Sequence, residues 1–229
     1  MFDAIVLSGG SAARLGGTDK PGLRVGGLSL LDRVLAAVAD AARIVVVGPA
    51  RTVTRPVLWC REDPQGGGPV AALAAGVPHV RADAVLTLAA DLPSIGPAVP
   101  ALLAALASRR SDCAALIDGD GRPNYLAAAW HRAALVGALS SVGQTAGASM
   151  RNLVSSATMI DVPDCGGWGL DCDTWSDLAA ARSRFAPAQH AKLAVARAAA
   201  GQSGTESGAT RGAQSGQSGT ESGATRGAQ

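Results

Sequence analysis

Aromatic residues are scarce in this chain: two Phe, one Tyr and four Trp among 229 residues, or 3%. A core built without them must be aliphatic, and the 48% of hydrophobic residues supply Val, Leu, Ile and Ala for it. At this length such a core can bury roughly 70% of the surface the unfolded chain exposes. Lysine is also scarce, with only Lys20 and Lys192, so arginine carries the remaining basic charge. Excess charge of either sign is missing as well. The net charge is +2, and no basic run exceeds the pair Arg109–Arg110, which argues against a nucleic-acid or acidic-membrane partner. The four cysteines (Cys60, Cys113, Cys165, Cys172) show no C-x-x-C spacing and no His at zinc-ligand offsets. Buried free thiols in a reducing compartment are the expectation. No basic segment leads into an apolar stretch at the start, and no run approaches the roughly 20 apolar residues of a membrane span. A soluble cytoplasmic protein is expected.

The last 29 residues lack every large apolar side chain. The segment GQSGTESGATRGAQ occupies 201–214 and recurs unchanged at 216–229, a period of 15. Without apolar surface to bury, such a segment cannot offset its ordering entropy, so 201–229 is expected to be disordered. Residues 187–200 read as an Ala-rich helix, and 1–186 as the functional domain.

Within that domain short apolar runs alternate with helical periodicity. The stretch DAIVL is a strand of the kind covered on both faces. In LSLLDRVLAAVADAA, Leu31, Val34, Leu35 and Val38 fall at helical spacing, and Ser29 with Asp32 forms a capping pair. Further strands are expected at RIVVVG, VLWC, AVLTLAAD, CAALID, YLAAAW and ATMIDV. Helices are expected at PVAALAAGV, GPAVPALLAALASRR, 132–141, 149–155 and TWSDLAAAR. The alternation predicts an α/β domain with a mainly parallel sheet. Ligands bind such sheets outside the carboxyl ends of the strands. That rule selects the loop after Leu7, the turn after Val47, the loop around Asp63, and Asp91.

The loop after Leu7 contains glycines, Arg14 and Lys20 within about a dozen residues. Backbone N–H groups of a Gly-rich turn can converge on an anion, a helical turn at 11–15 would add a favourable partial charge, and the two cations add full ones. The loop reads as a polyphosphate grip. A P-loop is excluded because Lys20 follows Asp19 and precedes Pro21, and G-x-G-x-x-G is excluded by the adjacent glycines and Arg14. No acidic residue closes the second strand either, where Val47 leads into Gly48–Pro49.

The run L-S-G-G-x3-R-L-G-G-x-D-K, Leu7 to Lys20, resembles the signature of nucleotidyltransferases that include molybdenum cofactor guanylyltransferase. The glycine pair Gly9–Gly10 is similar to the guanylyltransferase form of that signature. EDPQGGGPVAALAAG resembles the family's D…GP[LV]AG segment and LAADLP its C-D-x-P metal loop. GRPNYLAAAW and LDCDTWSDL resemble its later strand and its closing [ND]-x-[ND]-T-P-E-[DE]-L. The five motifs occur in order across nearly all of residues 2–185. The resemblance implies a Rossmann-like three-layer sandwich of the nucleotide-diphospho-sugar transferase type. It also implies transfer of GMP from GTP to molybdopterin with release of pyrophosphate, aided by Mg²⁺.

The resemblance further implies roles for particular residues. Leu7, Ser8, Gly9 and Gly10 present backbone groups to the nucleotide, Arg14 and Lys20 bind the triphosphate, and Asp63 contacts base or ribose. Asp91 is the first metal carboxylate, with a helix N-cap as its alternative. Asp173 is the second, with Asp171 close behind and capping of the following helix as the alternative for both. Arg151 is weighed as an acceptor-phosphate contact against a solvated position on its helix. Two departures stand out: Gly48 where the family has Asn, and Trp175 where it has Pro. Gly48 leaves the base open, so CTP-dependent transfer, another small phosphorylated acceptor such as phosphoenolpyruvate, and a non-catalytic nucleotide-binding homologue remain alternatives. A monomer or weak homo-oligomer is expected.

Overall fold

The strand β1 (Phe2–Leu7) shows how the sequence builds the domain. Its residues are apolar on both sides of the pleat: Ala4 and Val6 enter one core cluster, and Ile5 and Leu7 enter another. A strand of this kind needs helices on both faces. The computed structural model describes residues 1–9, 17–108 and 111–186 of the chain. The expectations for Gly10 and Arg14, for the helix at 187–200 and for the repeat at 201–229 lie outside the described residues.

Among the described residues β1 sits within a seven-stranded sheet of order β5-β4-β1-β6-β8-β7-β9. The other strands are β4 (Ile44–Val47), β5 (Leu58–Cys60), β6 (Ala84–Ala89), β7 (Cys113–Ile117), β8 (Pro123–His131) and β9 (Met159–Pro163). β1 pairs in parallel with β4 and β6, β4 with β5, and β7 with β9. Only β8 runs the other way, antiparallel to both β6 and β7. The expected mainly parallel α/β sheet is therefore present, with one reversed strand inserted beside β6.

Helices α1 (Leu30–Ala37) and α3 (Ala98–Ser108) cover one face through Leu31, Val34, Leu35, Leu102 and Leu106. Helices α2 (Pro69–Gly76), α4 (Arg132–Val142) and α5 (Met150–Val154) cover the other through Leu73, Leu135, Leu139 and Leu153. The result is a three-layer α/β/α sandwich. Ser29 is the N-cap of α1, and its Oγ accepts a 2.9 Å hydrogen bond from the amide of Asp32, as expected.

One element was not expected from the sequence. A two-stranded hairpin, β2 (Arg24–Val25) with β3 (Leu28–Ser29), turns at Gly26–Gly27. Helix α6 (Trp175–Arg184), expected at TWSDLAAAR, closes a third small core on that hairpin, made of Val25, Leu30, Cys172 and Leu178. The four cysteines are free thiols, and Cys113 and Cys172 are buried as expected. Cys60 is half-buried and Cys165 is exposed, so burial is not general. No helix among the described residues is long and apolar enough to cross a membrane.

Candidate active site

The carboxyl ends of β4, β1 and β6 lie side by side, and the backbone ladder runs on slightly past them. The amide of Ser8 donates to the carbonyl of Val47 at 2.8 Å, and that of Ala90 to Leu7 at 2.9 Å. Just beyond, a cavity of about 480 Å³ opens, lined by Leu7, Gly9, Lys20, Val47, Glu62, Gly66, Gly68, Ala90, Asp91 and Asp173 among others. This is the size range of a small-molecule site. Its position outside the carboxyl ends of parallel strands is the one expected for a ligand of such a sheet.

Lys20 stands in a short 3-10 turn (Lys20–Gly22) that brings its stem back over the strand ends. Its ammonium bridges two carboxylates from distant parts of the chain, donating to Asp91 Oδ2 and, at 2.5 Å, to Asp173 Oδ1. Burial works against the charge on Lys20, but the hydrogen bonds and charges of Asp173 and Asp91 outweigh it and hold the amine above its ordinary value. It is fully charged at neutral pH. The other carboxylate oxygen of Asp91, Oδ1, is buried and has no hydrogen-bond partner. An anionic oxygen left in that state calls for a cation or a donor from a ligand.

A second cavity, about 470 Å³, opens on the far side of the same aspartate. Its walls are Leu92 beside Asp91, Arg122 in the β7–β8 turn with Asn124 and Tyr125 at the start of β8, and the residues Asp164, Gly169, Leu170 and Asp171. Ala89, Asp91 and Leu126 line both cavities. Asp91 is thus the partition where two molecules could meet.

Several expected residues come together here. Leu7, Gly9, Lys20, Asp91 and Asp173 all line the first cavity. Ser8 is 2% exposed just behind it, its Oγ buried without a hydrogen-bond partner. Asp171 and Asp173 differ in position: the buried Cys172 faces a core between them, Asp173 lines the first cavity, and Asp171 lines the second. Burial, together with the charges of Asp173 and Asp91, raises the pKa of Asp171 above the ordinary aspartate value, with Lys20 opposing. The cap of α6 is neither of them. Thr174 is the N-cap, closing a reciprocal box with Asp177, whose carboxylate accepts the Thr174 amide at 2.7 Å. Asp91 precedes α3 by seven residues and is no cap of that helix.

Asp63 lies elsewhere: it is exposed and lines neither cavity. The preceding Glu62 lines the first one instead, its Oε1 accepting the amide of Gly66 at 3.2 Å. Motif matching alone favoured Asp63, because an acidic pair offers no sequence signal for which member turns inward. Arg151 is exposed on α5 and lines neither cavity, the solvated alternative. Gly48, with φ of 145°, packs so closely that a Cβ there would lie 2.6 Å from the carbonyl oxygen of Ser8. The Asn of the family pattern has no room in this turn. Among the described residues no group of three or more His, Cys, Asp or Glu is arranged to hold a metal ion. Asp91 and Asp173 are two, which suits Mg²⁺ completing its shell with phosphates and water.

Residues 4–159 match the MobA-like NTP transferase domain family. A probable molybdenum cofactor guanylyltransferase of Synechococcus elongatus is 41% identical over 102 residues, which cover 41% of this chain and 52% of that protein. A molybdenum cofactor guanylyltransferase of Acidiphilium cryptum is 35% identical over 139 residues, covering 57% of this chain and 67% of that one. The chain spans about half the length of the Synechococcus relative it matches. In structure it is similar to molybdopterin-guanine dinucleotide biosynthesis protein A of Archaeoglobus fulgidus. The TM-score is 0.62 at 18% identity, over 79% of this chain and 97% of that one. It is also similar to 2-C-methyl-D-erythritol 4-phosphate cytidylyltransferase of Francisella tularensis. There the TM-score is 0.65 at 14% identity, over 80% and 98%. The chain belongs to the MobA-like NTP transferase domain family.

Proposed function

We propose that this MobA-like NTP transferase moves GMP from GTP to the phosphate of molybdopterin and releases pyrophosphate. The observation that carries the reading is the Lys20 bridge between Asp91 and Asp173 at the partition between two cavities of nearly equal volume. A nucleotidyl transfer needs two phosphate-bearing molecules to meet at one charged point, and this arrangement supplies it.

The first cavity takes the nucleotide. Leu7, Ser8, Gly9 and Gly10 offer backbone groups to it, and Lys20 with Arg14 holds the triphosphate. The carboxylate of Glu62, rather than that of Asp63, faces the base. Guanine presents two adjacent donors, the ring N–H and the amino group, which one carboxylate can accept together. Cytosine presents one donor beside acceptors, so Glu62 supports the choice of GTP despite Gly48. The second cavity takes the acceptor. A phosphate oxygen of the acceptor attacks the α-phosphorus in line, the bond to the β-phosphate oxygen breaks, and pyrophosphate departs with that electron pair. Lys20 neutralises charge that develops on the transferring group, while the walls hold the reactants in line and exclude water. Asp91 and Asp173 would hold Mg²⁺, which when bound neutralises phosphate charge. The buried, unpartnered Oδ1 of Asp91 fits that assignment. The protein is proposed to act in the cytoplasm, as a monomer or weak homo-oligomer.

Pyrophosphate release from GTP, CTP, ATP and UTP, each with and without molybdopterin, tests the reading. Release from GTP that depends on molybdopterin is expected. Faster release from CTP would overturn the guanine assignment. Release with phosphoenolpyruvate but not molybdopterin would overturn the acceptor.

A further inference from the structure

The segment 164–169 has no regular secondary structure, yet it forms one wall of the second cavity. Irregular backbone needs hydrogen-bond partners outside a regular ladder, and here three side chains supply several of them. The Asp164 carboxylate accepts the amides of Gly166 (3.1 Å), Trp168 (2.8 Å) and Gly169 (2.9 Å). The Asn124 side-chain amide donates to the carbonyl of Gly169 at 2.9 Å. The carbonyls of Gly166 and Gly167 are taken by Arg184 from the last turn of α6, at 2.5 and 3.0 Å. Asp164 and Asn124 line the cavity, whereas Arg184 lies behind its wall.

The same guanidinium also donates to Ser94 Oγ at 3.1 Å. Ser94 stands three residues after Asp91, on the turn that follows the lining residues Asp91 and Leu92. Arg184 therefore ties this turn to the 164–169 wall from outside. Inside the site Lys20 makes the corresponding bridge, from Asp91 to Asp173. In the reading proposed above Lys20 also holds the triphosphate, whereas Arg184 touches no reactant.

We propose that Arg184 is a positioning residue that sets the width of the second cavity, and with it the fit of the acceptor beside Asp91. The inference rests on the nucleotidyltransferase reading of the site. A rigid, planar fork serves three oxygens at once, which a lysine ammonium on a flexible stem reproduces only in part.

The test compares wild type, Arg184→Ala and Arg184→Lys by two measurements. Steady-state kinetics with GTP and molybdopterin should show the acceptor KM raised about tenfold in Arg184→Ala, with kcat changed by less than about twofold. The Kd for GTP should stay unchanged, Arg184→Lys should recover part of the loss, and added guanidinium should recover part in the Ala variant. Independently of any substrate, amide hydrogen exchange in full-length Arg184→Ala should accelerate at Gly166, Trp168 and Gly169 while the amides of β1 and β6 stay protected. An unchanged acceptor KM in an active enzyme would overturn the proposal, as would an equal loss of GTP affinity. If wild type fails to use molybdopterin the functional reading falls, and unchanged exchange in 164–169 would then overturn the wall-tying role by itself.

Discussion

The two cavities share Asp91, but they are built in opposite ways. The first opens on the ends of three parallel strands, at Leu7, Val47 and Ala89, which the sheet ladder and the aliphatic packing beneath it hold in place, and loops add Lys20, Glu62 and Asp173 around them. The second lies where the reversed strand β8 interrupts the parallel order, and side chains hold its walls: Asp164, Asn124, Arg184 and the Asp118 carboxylate in the β7–β8 turn. The difference separates what the fold dictates from what individual residues add. A site made of strand ends is inherited with the sheet, so its chemistry rests on a few charged residues. A site made of side-chain-stapled loops can be reshaped one residue at a time, which suits the half that must recognise a particular acceptor.

The largest effect should come at the point the two halves share. Asp91→Ala is expected to cut pyrophosphate release at least about 1,000-fold, roughly 4 kcal/mol of barrier, while far-ultraviolet circular dichroism stays native. Activity within tenfold of wild type would remove Asp91 from the chemistry, and with it the idea that the cavities meet there. The second effect should belong to the strand-end half alone. Gly48→Ala forces a Cβ to within 2.6 Å of Ser8 O and 2.8 Å of Ser8 C, backbone atoms that cannot swing aside, at a φ of 145°. A loss of about 3 kcal/mol in urea unfolding is expected, with weaker nucleotide binding. Gly121→Ala, in the β7–β8 turn, has a φ of 75° but nothing within 4 Å of the new Cβ. It should cost only about 1 kcal/mol and leave nucleotide affinity intact. Equal losses at the two positions would break the contrast.

The same contrast explains how much the sequence reveals. Leu7, Gly9, Lys20, Asp91 and Asp173, which line the first cavity, could be singled out because each lies in a short local motif that resembles the family's. The parallel order of β1, β4, β5 and β6 was readable for a related reason: runs such as IVVV are buried on both faces and have no other use. Glu62 was missed because its inward turn depends on Gly66 lying back across the loop, a contact made only on folding. The hairpin at Val25-Gly26-Gly27-Leu28 did carry a signal, a two-residue glycine turn between apolar positions. The loop 164–169 carried one as well, an aspartate ahead of three nearby glycines. Arg184 carried none, since its partners Ser94, Gly166 and Gly167 are distant in sequence.

Asp164 offers a third and smaller test, on the side-chain-built half. Partial burial works to raise its pKa, but the amides of Gly169, Trp168, Gly166 and Gly167 outweigh that and hold the carboxyl below the ordinary aspartate value. A carboxylate depressed on folding stabilises the native state above the unfolded pKa, and that contribution is lost as pH falls through the folded one. Asp164→Ala should therefore cost about 2 kcal/mol near pH 7. The gap to wild type should narrow from about pH 4 downward, the ordinary aspartate range. The measurement is urea unfolding across that pH range. A gap independent of pH would show that the loop is held by packing rather than by the charged hydrogen bonds.

The smallest effect is expected from an exposed ion pair at the second cavity, whose Arg122 lines it. Arg122 reaches back to Asp120 at 3.2 Å, with the two side chains 78% and 72% exposed. Water and salt screen such a pair, and two mobile side chains must be ordered to form it, so its worth is at most about 0.5 kcal/mol. Asp120→Asn should leave urea stability within that range. If Arg122 faces an anionic acceptor, releasing it from Asp120 leaves its charge uncompensated and should lower the acceptor KM slightly, by about twofold at low salt, fading as salt is raised. A rise in KM would mean instead that Asp120 orients Arg122. Asp120 would then join Asp118, Asp164 and Arg184 among the side chains that hold the acceptor wall.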